Sequence, residues 1–338
     1  MMSAEQSTEP VEPPTDIIEA YDDDFSDEGA DTGGESSLAS LSSSIVQGVE
    51  ENGRTYASYG KEEYGAPMDE QEMDRIDMAH AKYFILLDKK RWIAPIPNNL
   101  QKVLDLACGT GIWSIDFADA NPSADVTGVD IAPIQPKWTA PNCHFEIDDI
   151  EQTWTWQLNS FDYIFSRDLL LCIRDFPRLI KQCYTHLKPG GWLEFQNING
   201  TLHCDDGTLP ETSQFKEYDR LLRAAATAFG TPLEDPIHYK KWFEEAGFEG
   251  VTETIFKMPT SPWAKDPRLR LVGAFEQENL TSNLEGISTR VFQKGLGWSP
   301  EESTVFFTGV RKDIKNRKQH AYWPYVVVYG QKPLSAKE

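Results

Sequence analysis

The chain has 338 residues, 40% of them hydrophobic, which is enough for one large domain with a sizeable core. Its formal net charge is -22, and no lysine or arginine precedes Arg54, so nothing in the composition offers the basic face that nucleic acid requires. The five cysteines are odd in number and show no C-x-x-C spacing, which argues against a zinc site or a disulfide framework and for a reducing compartment. No apolar run reaches the roughly 18 residues of a membrane span, and no basic, apolar leader opens the chain. The expectation is a protein of the cytoplasm or nucleus with no membrane partner, no direct nucleic-acid contact and no metal.

Residues 1–44 are rich in Glu, Asp, Ser, Pro and Gly and read as a disordered acidic tail, because such a composition buries too little to offset the entropy of ordering. Residues 45–100 read as a helical segment. In it Ile76, His80, Tyr83 and Leu87 fall on one face at helical spacing. His80 in that stripe reads either as a hydrogen-bonded core residue or as a catalytic base. The functional version has this helix, with Arg54, Tyr56 and Tyr64 before it, closing over a ligand as a lid.

The segment Val103 to Trp113, VLDLACGTGIW, reads as strand, tight turn and helix, with Asp105 in the strand and Gly109 and Gly111 in the turn. Glycine there lets the backbone bend sharply and approach a ligand closely. Asp130 ends the next apolar run 25 residues after Asp105, the interval at which a second parallel strand delivers a carboxylate to ribose hydroxyls. A third strand, Cys143 to Ile147, ends in Asp148 and Asp149. Strand four, FDYIFSRDLL, carries Ser166 and Arg167 at its carboxyl end. Arg167 reads either as a partner for an acidic ligand group or as a structural pair with Asp162 or Asp168. Pro189, Gly190 and Gly191 form a turn before strand five at Trp192, and Gln196, Asn197 and Asn199 follow on the same cleft edge. Strands alternating with helices imply a mostly parallel α/β sheet with its ligand past the carboxyl ends of the strands, where their order reverses. Two helical insertions, at about 200–236 and 261–319, interrupt this pattern, and Ala321 to Gly330 forms a final strand buried on both faces.

Two cofactor classes use a G-x-G turn of this kind, and a dinucleotide site is one of them. The pattern D-x-x-x-G-x-G instead resembles the first motif of class I S-adenosylmethionine (SAM) dependent methyltransferases. The segments GIWSIDFADANPSADVTGVDIAPIQPKW, RDFPRLIKQCYTHLKPGGWLEF and VRKDIKNRKQHAYWPYVVVYGQKP, with others from Val46 to Pro333, resemble the fungal LaeA-like methyltransferases. One departure is Cys108, where that group commonly has a smaller residue. The resemblance implies a Rossmann-like sheet of seven strands, with strand seven antiparallel and the insertions forming a cap. It implies SAM as cofactor, with Gly109 and Gly111 flanking the methionine part, Asp130 on the ribose, and Asp148 or Asp149 on the adenine amine beside a backbone N–H. The cofactor-binding set is Asp105, Ala107, Cys108, Gly109, Gly111, Asp130, Ile131, Asp148, Asp149, Ile150, Ser166, Arg167, Tyr56 and Tyr64.

The group holds enzymes that methylate secondary metabolites and regulators of secondary metabolism. The first reading is therefore methyl transfer to an oxygen of a small metabolite, and the second is a nuclear regulator acting through protein partners. The candidates for catalysis are His80, His320 and Arg167, with His203 and His238 as further histidines that could serve as a base. An acceptor pocket is expected among Phe215, Tyr218, Trp263, Phe275, Trp298 and Trp323 in or beside the insertions. If the tail buries nothing, deleting residues 1–44 should leave the melting temperature within about two degrees, as measured by scanning calorimetry. A larger drop would show that the tail docks.

Overall fold

The computed structural model describes residues 45–60 and 64–335, so the acidic tail of residues 1–44 lies outside the described residues. A short hairpin, β1 (Val49–Glu51) and β2 (Arg54–Tyr56), precedes helix α1 (Glu70–Leu86). Asp69 starts that helix: its side chain accepts from the Glu72 N–H and takes the Arg54 guanidinium on both oxygens, at 2.6 and 2.7 Å.

The core then runs β3 (Lys102–Leu106), α2 (Ile112–Ala120), β4 (Asp125–Asp130), β5 (Cys143–Ile147), β6 (Phe161–Arg167), α3 (Phe176–His186) and β7 (Leu187–Ile198). Helix α4 (Gln214–Phe229) follows, then α5 (Tyr239–Ala246), β8 (Glu249–Pro259), α6 (Pro267–Leu296), α7 (Pro300–Ile314) and β9 (Tyr322–Gln331). Seven strands form one sheet in the order β5-β4-β3-β6-β7-β9-β8. The first five are parallel, and β9 runs antiparallel between β7 and β8. Val103, Leu104 and Leu106 of β3 and the Val326–Val328 run of β9 follow from burial on both faces.

Each face of the sheet has its own core. Trp113 and Phe117 of α2 pack with Val103, Val126 and Phe165 on one side. Phe176 and Ile180 of α3 join Phe243 of α5 and Phe195 on the other. Pro189, Gly190 and Gly191 are not a turn before the strand. They lie inside β7, where Leu187 pairs with Phe161 and Trp192 with Tyr163, so the extra residues bulge out of the ladder.

The two insertions share a third core with α1. Tyr83 of α1, Tyr218 of α4, Phe292 of α6, Phe307 of α7 and Trp323 of β9 belong to one buried cluster. Helix α6 begins with Asp266 capping Leu269 and Pro267 in the first turn, and α7 begins with a Ser299–Glu302 capping box. A buried ion pair, Lys82 Nζ to Glu276 Oε2 at 2.6 Å, fastens α1 to α6. Both side chains are about 1% exposed, and Glu276 also accepts from Asn279 and Trp323. Truncating one member leaves the other charge buried and alone. Lys82→Ala should therefore lower unfolding free energy by about 3 to 5 kcal/mol, whereas the double change Lys82→Met with Glu276→Leu should cost far less. Urea denaturation of the two variants makes the comparison, and equal losses would show that packing rather than charge holds this contact.

Candidate functional site

Strand order reverses between β3 and β6, whose neighbours are β4 on one side and β7 on the other. Past the carboxyl ends of these strands lies a cavity of about 1080 Å³ including its open mouth, walled by α1 and the loops after β3, β4, β5 and β6.

The turn after β3 is shaped by packing as much as by access. Ala107 and Gly109 both hold left-handed φ, 51° and 57°. A Cβ on Gly109 would meet only Ile76, at 3.4 Å, so this glycine leaves the backbone open to the cavity. Gly111 has another reason. At φ 79° it starts α2, and a Cβ there would stand 2.3 Å from the ring of Phe145 in β5. Trp113 fills the space between helix and sheet, its ring stacked 3.8 Å from that of Phe165 and its Nε1 donating to the Arg91 carbonyl. The helix is thus held off the sheet by an indole.

Asp130 ends β4 at the cavity wall. Its carboxylate accepts from the Gly109 N–H at 2.8 Å and the Ala132 N–H at 2.9 Å, and burial still raises its pKa to about 6. Asp105 is buried under the turn, accepts from Ser114 Oγ at 2.6 Å, and is raised to about 7 by burial. Its visible work is to tie β3 to α2. Gln135 donates to the Gly109 carbonyl at 2.6 Å and Thr110 to Asp77 of α1 at 2.7 Å, which fix the turn from both sides.

After β5 the two acids part. Asp149 accepts from the Glu151 N–H and Gln152 Nε2, so it shapes its own loop. Asp148 accepts from the Asp149 N–H and from Tyr59 through one oxygen, Oδ1. Asp148, Asp149, Ile150 and Ile131 all line the cavity, as do Ala107, Cys108 and Tyr64.

Arg167 ends β6 and does not pair with Asp162 or Asp168. Asp162 is taken by Lys188 and by the N–H groups of Gln101 and Lys102. Arg167 instead places its Nη2 2.7 Å from His80 Nδ1, while His80 Nε2 lies 3.1 Å from Asp116. A guanidinium only donates, so Nδ1 accepts and Nε2–H donates to Asp116. Burial first and Arg167 second lower the His80 pKa to about 4. Both ring nitrogens are therefore occupied, and His80 has none left to take a proton from a ligand.

Other residues singled out in the sequence lie elsewhere. Ser166 is buried and donates to the Leu106 carbonyl. Tyr56 lies outside the cavity under the guanidinium of Arg290, 4.0 Å from its ring centroid. His320 contacts Asp206 at 2.6 Å and the ring of Trp263, His203 stacks on Tyr322, and His238 lies against Trp242, none of them lining the cavity.

A second cavity, about 780 Å³ with its mouth, adjoins the first and shares Tyr64, Arg75, Tyr83 and Asp168 with it. Helices α1, α4 and α6 supply most of its wall. Of the aromatic residues expected there, Tyr218 and Trp323 line it. Phe215 is buried in the insertion core, Trp298 packs on Phe292 and Phe306, and Trp263 is at His320. Phe275 is partly buried and not on this wall. Glu72, Arg75 and Asp168 also line this wall, and nothing in their local sequence marks them as cavity residues. Glu72 and Arg75 form an i,i+3 pair on α1, and the neighbouring α6 supplies Glu276, Asn279, Leu280 and Ile287 to the same wall.

Among the described residues no group of three or more His, Cys, Asp or Glu is arranged to hold a metal ion, no helix is long and apolar enough to cross a membrane, and all five cysteines are unpaired.

A methyltransferase-domain family model matches residues 78–253. The methyltransferase pytC of Aspergillus terreus is 39% identical over 300 residues, which cover 88% of this chain and 92% of that protein. The secondary metabolism regulator LAE1 of Cochliobolus heterostrophus is 34% identical, covering 80% and 91%. The protein-methionine methyltransferase laeA of Emericella nidulans is 33% identical, covering 84% and 76%.

The raised carboxyls make a stability prediction. A buried acid with a raised folded pKa keeps its proton where the unfolded chain has lost it, so its contribution to stability is full below about pH 4 and declines as pH rises toward the folded value. The stability of the wild type relative to Asp105→Asn should fall by on the order of 2 to 4 kcal/mol between pH 4 and about 7. Urea titrations across that range test it, and parallel curves for the two proteins would mean that Asp105 titrates as an exposed acid.

Proposed function

As the chain belongs to the family of SAM-dependent methyltransferases, we propose that it transfers a methyl group to an oxygen of a small, largely apolar metabolite held in the second cavity. The observation that carries this reading is the adjacency of the two cavities across Tyr83 and Asp168, with the second walled by the inserted helices. An acceptor seated there is brought against the occupant of the first.

The first cavity suits SAM. Its walls carry Asp105, Asp130, Asp148 and Glu151, an acidic lining for a ligand bearing ammonium, sulfonium and hydroxyl groups. When bound, SAM supplies an electrophilic methyl on a sulfonium. The protein's part is to bind, align and exclude water. Asp130, already fixed by two N–H groups, would accept from the ribose hydroxyls. Asp148 would take the adenine amine with Ile150 beside it, since Asp149 is engaged by its own turn. Gly109, with Ala107, Cys108 and Ile131, would bring backbone against the cofactor. Arg167, held by His80, is available to the cofactor carboxylate. Tyr64 borders both sites. Ser166, Tyr56 and Gly111 support the scaffold in this reading, and the residues before α1 act with it as the cover.

A second reading has its own support. Relatives named as a secondary metabolism regulator and as a protein-methionine methyltransferase favour a regulator that acts through protein partners. The unpaired cysteines support the cytoplasm or nucleus for either role.

Two experiments test the proposal. Calorimetry should show SAM binding weakened at least about tenfold in Asp130→Ala, because hydrogen bonds to a charged acceptor are each worth about 1.5 to 3 kcal/mol. In the wild type, affinity should fall as pH drops through about 6, where Asp130 gains a proton. Unchanged binding in both comparisons would remove Asp130 from the site. Incubation with tritiated SAM and, separately, a metabolite extract and bulk protein should label small molecules. Label confined to protein would transfer the case to the regulator.

A further inference from the structure

We propose that the second cavity selects its acceptor by a neutral hydrogen-bond donor, a hydroxyl or N–H on an otherwise apolar molecule, which Asp168 Oδ1 and Glu72 Oε2 receive. This rests on the reading of that cavity as the acceptor's.

Both oxygens belong to side chains that line the cavity, and both are buried without a hydrogen-bond partner. Glu72 is 1% exposed. Its other oxygen holds Arg75 alone, through Nε at 2.8 Å and Nη2 at 2.7 Å, and Arg75 Nη1 goes to Asn279, so no donor of that guanidinium is directed to Oε2. Asp168 has the same asymmetry. Oδ2 accepts from the Tyr83 hydroxyl at 2.9 Å, while Oδ1 has nothing.

The remaining acids of this wall are satisfied. Glu276 accepts from Lys82, Asn279 and Trp323. Asp219 accepts from the Leu202 N–H and from Arg223. A buried carboxylate oxygen without a donor is costly, and buried polar atoms in folded proteins nearly always find a partner. Two such oxygens on one cavity wall point to a ligand that brings donors.

The backbone supports the same conclusion. Asp168 sits at φ 63°, a left-handed conformation uncommon for a residue with a side chain, and its N–H is tied to the Gln196 carbonyl. It is also the one carboxylate among the described residues that lines both cavities. The strained turn sets a carboxylate at the junction of the two spaces.

Charge balance then decides between donor types. Arg75 neutralises Glu72, Lys82 neutralises Glu276 and Arg223 neutralises Asp219, so Asp168, held by the Tyr83 hydroxyl, is the one acid of the wall outside an ion pair, and the demand is for hydrogen-bond donors more than for positive charge. A carboxylate on the acceptor would set oxygen against oxygen, and Arg167 does not line this cavity to relieve it. Leu222, Leu233, Leu280, Ile198 and Ile287 supply the apolar remainder.

The test compares 2-naphthol, 2-methoxynaphthalene and 2-naphthoate by calorimetry against the full chain saturated with S-adenosylhomocysteine. Naphthol should bind at least about tenfold more tightly than either of the others, as expected for a donor meeting a charged acceptor. In Asp168→Asn and in Glu72→Gln that ratio should shrink several-fold. The ratio is internal to each protein, so a fraction of unfolded variant does not change it. Equal binding of the three probes to the wild type, or a ratio unmoved in both variants, overturns the proposal. Leu222→Trp, which fills the cavity, separates the two levels. If naphthol binds that variant undiminished, the cavity is not the acceptor site and the functional reading falls with it. If the variant loses binding while the three probes bind the wild type equally, donor recognition alone falls.

Discussion

A guanidinium has no lone pair to offer, and from this property of Arg167 much of the site's order follows. His80 Nδ1 must accept from it, so the ring proton stands on Nε2 and goes to Asp116, which Arg91 also holds at 2.7 Å. The three residues come from the end of β6, the middle of α1 and the body of α2. Their chain fixes α1 across the carboxyl ends of the strands. The Tyr83–Asp168 bond one turn further on and the Lys82–Glu276 pair on the opposite side complete the fastening. Without it, neither cavity would keep its shared wall.

This arrangement accounts for the chemistry left to the rest. A histidine locked between a cation and an anion is a strut, and its low pKa follows from burial and the neighbouring guanidinium. The carboxylates that line the two cavities are held in two ways. In the first cavity they are held by backbone N–H groups, as at Asp130, and in the second by side chains that leave one oxygen over, as at Glu72 and Asp168. The insertions add a core of their own and wall the second cavity, so the two cavities rest on different hydrophobic clusters. That separation lets the second cavity change by substitution in α4 and α6 while the sheet remains as it is.

Buried polar groups bind the layers elsewhere too. Glu194 of β7 is wholly buried, with its pKa raised by that burial, yet it accepts from the N–H groups of Ile93 and Ala94, from Tyr163 and from Gln196. Four donors of this kind convert a costly charge into a fixed joint between the segment after α1 and the sheet.

The alternation of apolar runs and glycine turns determined the sheet and its helices, because a strand buried on both faces and a turn with left-handed φ each demand residue types that local sequence displays. Asp105, Gly109, Asp130 and Asp148 were legible for the same reason: each falls at a strand end or a turn fixed by that periodicity. The bulge at Pro189–Gly191 was not, since its cause is the register of β7 on β6 and β9. Asp149 accepts through both oxygens within its own turn while Asp148 accepts through Oδ1 alone, a difference that the sequence, with two adjacent acids, does not display. His80 was ambiguous until two partners distant in sequence took both its nitrogens. Glu72 became a cavity residue only when α6 docked on α1, because burial of a charged side chain is a property of the partner surface, which no local pattern encodes.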